Sequence, residues 1–461
     1  MPTGPSLVLA LFSGPLVSYG QQVDLAITNA HVLNVKTGRI SALQTILIKQ
    51  GRIVAMQRPA RAYVAAQTLD AHGRLVTPAF IDSHTHPMDV LGDYTKAPPV
   101  LAPDSLATYR QRISDQYLPY GTTTIATMGQ LETWVPALVE WQNHPQLNLV
   151  DVYVAGGALI SKEKRTPYIA HTTVETPALA RQQVLAYHQA GIRYLKLYYR
   201  LQEPEFRSAY QAATKLGMRV YGHIGDSGPG YLDMKQALHI GLRNYEHLVT
   251  LANGVIVSTS EKEAVEKQFR ARFERMNTEA RVLEFFLEQF RYIDEHKKPE
   301  MAALIHQLAK HQASISTTIQ RIYDQFEPTF YTTPQDKALT ADQQARCVEN
   351  FAIFMKYVHQ LARAGVDIRL GSDGPEGGKV NVSELMILAK YDFSVADTFK
   401  IATYNGAKAL GLEKDRGSIA KGQVADLLVW DKSPFDNYAN FNSPLTVIKR
   451  GTIHQNTAVG K

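Results

Sequence analysis

The sequence predicts an α/β protein: a (β/α)8 barrel of the TIM type, with a small composite β-sandwich domain contributed by both chain ends. Three observations predict it. From Val23 to Leu75 short alternating runs are separated by Lys-Thr-Gly and Gln-Gly turns, which reads as strands. From about Val76 the rhythm changes: apolar runs such as Leu147–Ala155, Tyr194–Tyr199 and Arg219–His223 alternate with helical segments over some 300 residues. That alternation reads as βα units around a parallel sheet, and the length suits a closed barrel. After Ala407 the strands return, in Gly422–Asp431 and Leu445–Ile453, so the two β-rich ends are expected to meet as one sheet domain.

Taken in order, residues 1–20 come first, with an apolar run from Leu7 to Val17 broken only by Ser13, Gly14 and Pro15. Ser18 and Gly20 then offer small residues at the −3 and −1 positions of a cut before Gln21. This is the outline of a signal peptide for export to a periplasm or the exterior, too short and broken to span a membrane; its start carries no Lys or Arg. The β-domain follows at 21–75 and 411–461, and the barrel at 76–410. Within the barrel, about 259–300 breaks the βα rhythm. Phe269, Phe273, Met276, Ala280, Leu283, Leu287 and Phe290 fall three and four apart, the stripe of a helix or helical hairpin. Such a stripe packs on the barrel; a lid over its mouth is the alternative.

Composition narrows the function. The chain has 461 residues, 45% hydrophobic and 20% charged, as an ordinary soluble protein does. Its net charge of +6 is spread along the chain, without a basic stripe interleaved with aromatics, so nucleic acid is not an expected partner. The single cysteine, Cys347, lies in a helical stretch and reads as core, which leaves neither a disulfide nor a cysteine nucleophile. A small-molecule substrate is the expected partner, and a homo-oligomer is compatible with the sequence.

The chemistry begins at His84 and His86. Residues i and i+2 of a strand share a side, so both imidazoles can reach one ion. Alone this is weak, because about half of one His-x-His match is expected by chance among 15 histidines. Lys196 strengthens it: in the middle of an apolar strand it must be desolvated, paired or modified, since a bare buried ammonium costs several kcal/mol. His223 and His247 each end a strand-like run, and Asp373 follows another. Six candidate ligands thus stand near the C-terminal ends of successive strands, where barrel enzymes carry their catalytic groups.

In that order, and in the stretches Thr77–His86, Ala402–Leu412 and Gly417–Asp431, the chain resembles the binuclear metal-dependent hydrolases of the amidohydrolase superfamily, its imidazolonepropionase-like and Xaa-Pro dipeptidase-like (prolidase-like) members above all. Ala79 departs from the pattern, where glycine is more usual. The resemblance implies two divalent metal ions, zinc foremost, with manganese, iron and cobalt also compatible. His84, His86 and Asp373 would hold one ion, His223 and His247 the other, and a carboxylated Lys196 would bridge them. A metal-bridging hydroxide would attack an amide-like C–N bond of a small peptide, N-acyl amino acid or cyclic amide, with Asp373 as the catalytic proton carrier. Tyr198, Arg200 and Tyr221 are substrate-binding candidates; Arg200 also reads as a surface salt-bridge partner and Tyr221 as barrel filling. His306 and His311 lie on a helix and read as structural. Two other readings stay open. In a mononuclear deaminase Lys196 would be structural and Asp226, three residues after His223, would move protons. In a non-catalytic relative ligands would be missing, whereas all six positions are filled.

Overall fold

The computed structural model describes residues 21–58, 62–92, 96–161, 171–225, 231–273, 278–443 and 445–455. Residues 1–20, Asp226 and Met276 lie outside this set. No helix among the described residues is long and apolar enough to cross a membrane.

The two chain ends meet in one sheet. Thr452–Gln455, Leu445–Lys449 and Leu427–Trp430 from the C-terminal part join Leu75–Pro78, Gln21–Asn34, Gln44–Lys49 and Arg52–Gln57 from the N-terminal part. The seam is antiparallel, with Leu427 opposite Pro78 and Val429 opposite Val76. Side chains alternate across it with the period of a strand. Leu427 and Val429 enter a core with Leu25, Ile27, Ile46, Ile48 and Ile448 inside the β-domain. Leu428 and Trp430 face the other way, onto Phe80, Leu370 and Phe399 of the barrel. The same alternation therefore builds the domain and attaches it.

Eight parallel strands form the barrel: β1 (Phe80–Thr85), β2 (Thr122–Thr127), β3 (Asp151–Val154), β4 (Tyr194–Leu197), β5 (Arg219–Gly222), β6 (Asn244–Tyr245), β7 (Ser314–Ser316) and β8 (Asp367–Arg369). Regular pairing joins β1 to β3 and β4 to β8. A parallel bridge between Ala155 and Tyr194 links the two sets. The Ser83 amide donates to the Leu370 carbonyl at 2.8 Å, which closes the ring between β8 and β1. Ile81, Ala126, Ala155, Tyr194 and Tyr221 fill the interior, and Ala407 and Leu410 of the helix Gly406–Leu410 plug its N-terminal end. What remains for chemistry is the opposite, C-terminal face.

The expected insertion forms two helices, α1 (Thr259–Phe273) and α2 (Glu279–His296). Phe269, Phe273, Leu287 and Phe290 of their stripe are buried: Phe269 and Phe273 stack at 4.6 Å, and Phe290 meets Phe354 of α3 (Ala341–Arg363) at 4.8 Å. Glu288, fully buried, accepts hydrogen bonds from Asn350 at 2.7 Å and Arg346 at 2.5 Å, both on α3. Cys347 is buried in α3 as a core residue.

Candidate metal centre

The end of β1 carries His84 and His86, but not on a regular strand. Its pairing with β2 slips between Asp82 and Thr85, a bulge that re-aims side chains. Asp82, fully buried, holds this kink: its carboxylate accepts from the amides of His84 (3.0 Å) and Ser372 (3.2 Å) and from Asn381 (3.1 Å). Burial pushes Asp82 up to about 6, against those hydrogen bonds. The Asp373 amide donates to the His84 carbonyl at 3.0 Å, so the first and last strand ends are stitched together at the site.

Asp373, His247 and Thr318 all take left-handed backbone conformations, with φ of 49°, 66° and 50°. Each costs strain in a residue other than glycine, and such strain collects where side chains must be aimed. Here it aims them at one another. Asp373 Oδ1 lies 3.1 Å from His86 Nε2 and 3.4 Å from His84 Nε2, and its Oδ2 lies 3.7 Å from His247 Nδ1. His84, His247 and Asp373 each present one ligand atom within 4.8 Å of the others. The ring row continues from His84 to His247 at 4.6 Å and on to His223 at 4.3 Å.

Hydrogen bonds orient the rings. His86 Nδ1 is 3.0 Å from the Gly129 carbonyl, which only accepts, so that nitrogen carries a proton and Nε2 is left to face Asp373. His247 Nδ1 meets the Thr318 hydroxyl at 2.9 Å. Lys196 is fully buried in β4, and its Nζ and the Nδ1 of His223 have no hydrogen-bond partner among the described residues. Burial lowers the Lys196 ammonium to about 8, although Glu246 and Asp373 favour its charge. Burial, joined by neighbouring cationic groups, also holds His223 and His247 well below the usual imidazole range, as neutral rings. Burial works against the Asp373 carboxylate, yet His84 and His86 beside it keep it well below the usual range.

The sequence-predicted ligands His84, His86, His223, His247 and Asp373 therefore gather at one face, with Lys196 in the wall beneath them. Tyr198 stands beside this group, its ring 5.1 Å from His223 and 4.7 Å from His171. The Arg200 guanidinium lies over the Tyr199 ring at 5.6 Å. The Tyr221 hydroxyl donates to the Ala409 carbonyl at 2.8 Å, at the plugged end, which is the barrel-filling place that the sequence held open beside substrate binding. His306 is exposed on its helix, and His311 lies 3.4 Å from Arg243, both outside the group. Sequence reasoning passed over Glu246 and Arg369, a fully buried pair at 2.8 Å directly under the histidines. The signal was present, since each is a charge within an otherwise buried strand end, the same cue that marked Lys196.

The sequence pattern of the amidohydrolase family matches residues 75–457. The chain belongs to the amidohydrolase family. Among solved structures, a Xaa-Pro dipeptidase with bound methionine in its active site is similar with a TM-score of 0.65 at 16% identity, covering 94% of this chain and 99% of that one. The ochratoxinase of A. niger gives 0.66 at 15% identity, covering 95% and 98%. These likenesses establish the barrel and its β-domain. Curated relatives match locally. Imidazolonepropionase of Legionella pneumophila is 32% identical over 77 residues, 16% of this chain and 19% of that protein. Adenine deaminase of Lactiplantibacillus plantarum is 35% identical over 105 residues, 23% of this chain and 16% of that protein. This chain thus spans about a fifth of the length of the curated relatives it matches.

Proposed function

We propose that this amidohydrolase cleaves an amide-like C–N bond of a small peptide, N-acyl amino acid or cyclic amide, using two divalent cations, zinc foremost. One observation carries the reading: four histidines and Asp373 converge above a buried lysine whose Nζ has no partner among the described residues. Without a cation this arrangement is unfavourable. The lone pairs of His84 Nε2 and His86 Nε2 would both face the Asp373 carboxylate, which is repulsive unless a proton or cation lies among them. The donor set of imidazoles and carboxylate suits zinc.

In this reading His84, His86 and Asp373 would hold one ion and His223 and His247 the other. Lys196 would add carbon dioxide through its neutral amine: an N–C bond forms, one proton leaves to solvent, and the anionic carbamate would supply oxygen ligands to the ions. That change also removes the burial problem of a bare ammonium. When bound, the ions supply Lewis acidity toward the carbonyl and lower the pKa of water toward neutrality. Asp373, kept anionic by its histidine neighbours, accepts the proton of the attacking water and passes it to the leaving nitrogen. Tyr198, beside His223, and Arg200 flank the substrate side.

Chelation should abolish hydrolysis of dipeptides, N-acyl amino acids or cyclic amides, and zinc with bicarbonate should restore it. The local identity to adenine deaminase supports a second reading, a one-ion deaminase of a heterocycle. Ammonia released from adenine-type substrates, with no turnover of any amide, would favour that reading and overturn ours.

A further inference from the structure

We infer that Glu246 is a positioning residue that sets the ring tautomer of His84 and, through Ser316, the backbone of His247. The inference rests on the two-ion reading for its purpose, but the geometry that carries it stands in the protein alone. Glu246 is fully buried at the end of β6, and Arg369, Ser316 and His84 face its carboxylate. Its Oε1 takes Arg369 Nη2 at 2.8 Å. Its Oε2 takes Ser316 Oγ at 2.6 Å, Arg369 Nη1 at 3.4 Å and His84 Nδ1 at 2.5 Å.

Each donor assignment is forced. Arg369 has donors only, and it is locked in place by the Tyr245 carbonyl at 2.8 Å and the Ser83 hydroxyl at 2.9 Å, above the Tyr221 ring at 5.3 Å. Ser316 Oγ already accepts the His247 amide at 2.9 Å, so its own proton goes to Glu246. A carboxylate surrounded in this way has no proton to give, and His84 Nδ1 must be the N–H. Nε2, the atom that faces Asp373 at 3.4 Å, is thereby the nitrogen left to serve as a ligand. One carboxylate thus orders a ring on one half of the site and the chain carrying a ring on the other half.

Glu246→Gln tests this with nearly unchanged shape. Arg369 requires the amide oxygen at the Oε1 position, because an amide NH2 there would oppose a donor. The amide NH2 then faces His84 Nδ1, which must become the acceptor, so the proton moves to Nε2. In metal-free protein labelled with nitrogen-15 histidine, long-range proton–nitrogen correlation is expected to show His84 Nδ1 protonated in the wild type and unprotonated in the variant. Zinc affinity in competition with a chelator should fall about 10–100-fold. If the buried Arg369 prevents this variant from folding, Glu246→Leu combined with Arg369→Met removes the acceptor without leaving an unpaired charge. Both His84 tautomers should then be populated, and zinc affinity should fall in the same range. A retained Nδ1–H tautomer with zinc affinity within about twofold of wild type, in either folded variant, would overturn the inference. A wild-type protein that binds fewer than two ions would instead overturn the proposed function, and the metal-free tautomer would still decide this point.

Discussion

Replacing Lys196 with methionine is expected to abolish hydrolysis while leaving the metal-free protein at least as stable as the wild type. The two effects have one cause. Lys196 is fully buried, with no hydrogen-bond partner for its Nζ among the described residues. An unpaired amine in that position is held against its solvation, which is why burial lowers its pKa to about 8. Methionine fills similar space without a polar head, and apolar replacement of buried ionic groups is often neutral or stabilising by about 1–4 kcal/mol. In the proposed two-ion centre activity moves the other way, because the carbamate that Lys196 would contribute is lost. Removing even a partner of a metal ligand costs about 10–100-fold, so loss of the bridge should exceed about a hundredfold. Thermal unfolding in the presence of chelator, set beside turnover of the zinc-loaded protein, reads both. An active Lys196→Met variant would assign the lysine a merely structural role and favour the one-ion deaminase.

The second large effect lies at the opposite end of the barrel. Asp151, at the start of β3, takes three cations of the C-terminal β-domain region onto its Oδ2: Arg416 at 2.7 Å, Arg450 at 2.9 Å and Lys449 at 3.0 Å. Lys449 and Arg416 are almost wholly buried, and Asp426 shares Lys449 at 3.2 Å. Burial pushes the Asp151 carboxyl up, but Lys449, Arg416 and Arg450 outweigh it and hold the group well below the usual carboxylate range. Asp151→Asn leaves these cations without their central charge, and breaking a buried pair typically costs about 3–5 kcal/mol. The pH dependence has a definite sign. A depressed folded-state pKa contributes stability above the unfolded value, near about 4 for aspartate, and loses it as pH falls toward the folded value. The stability gap between wild type and Asp151→Asn should therefore be full at pH 7 and narrow below about pH 4. A gap that is constant with pH would show that packing, not charge, joins the barrel to the β-domain here.

How much of this was legible in the sequence depended on the kind of information each residue carried. Lys196, His223, His247 and Asp373 stood out because a titratable group ending an apolar run has few structural reasons to be there. The alternation in Leu427–Trp430 was equally legible, since a period of two assigns its two faces to two cores without knowledge of partners. Pairing across the chain was not. Arg369 and Glu246 lie 123 residues apart, and nothing local joins a charge in one strand to a charge in another. The equal footing of His84 and His86 assumed a regular strand, whereas a bulge between Asp82 and Thr85 re-aims that segment. Tyr221 was legible only as two alternatives, substrate contact or barrel filling. It sits level with Lys196 in the strand register, but the sequence does not encode which end of the barrel a long side chain leans toward.

The most direct test of the two-ion centre is to count bound metal. The protein would be stripped with chelator, reloaded with zinc in bicarbonate buffer, freed of excess and analysed for metal against protein concentration. Two ions per chain are predicted for the wild type, with one or none in Lys196→Met. A single tightly bound ion per chain, unchanged by Lys196→Met, would contradict the account.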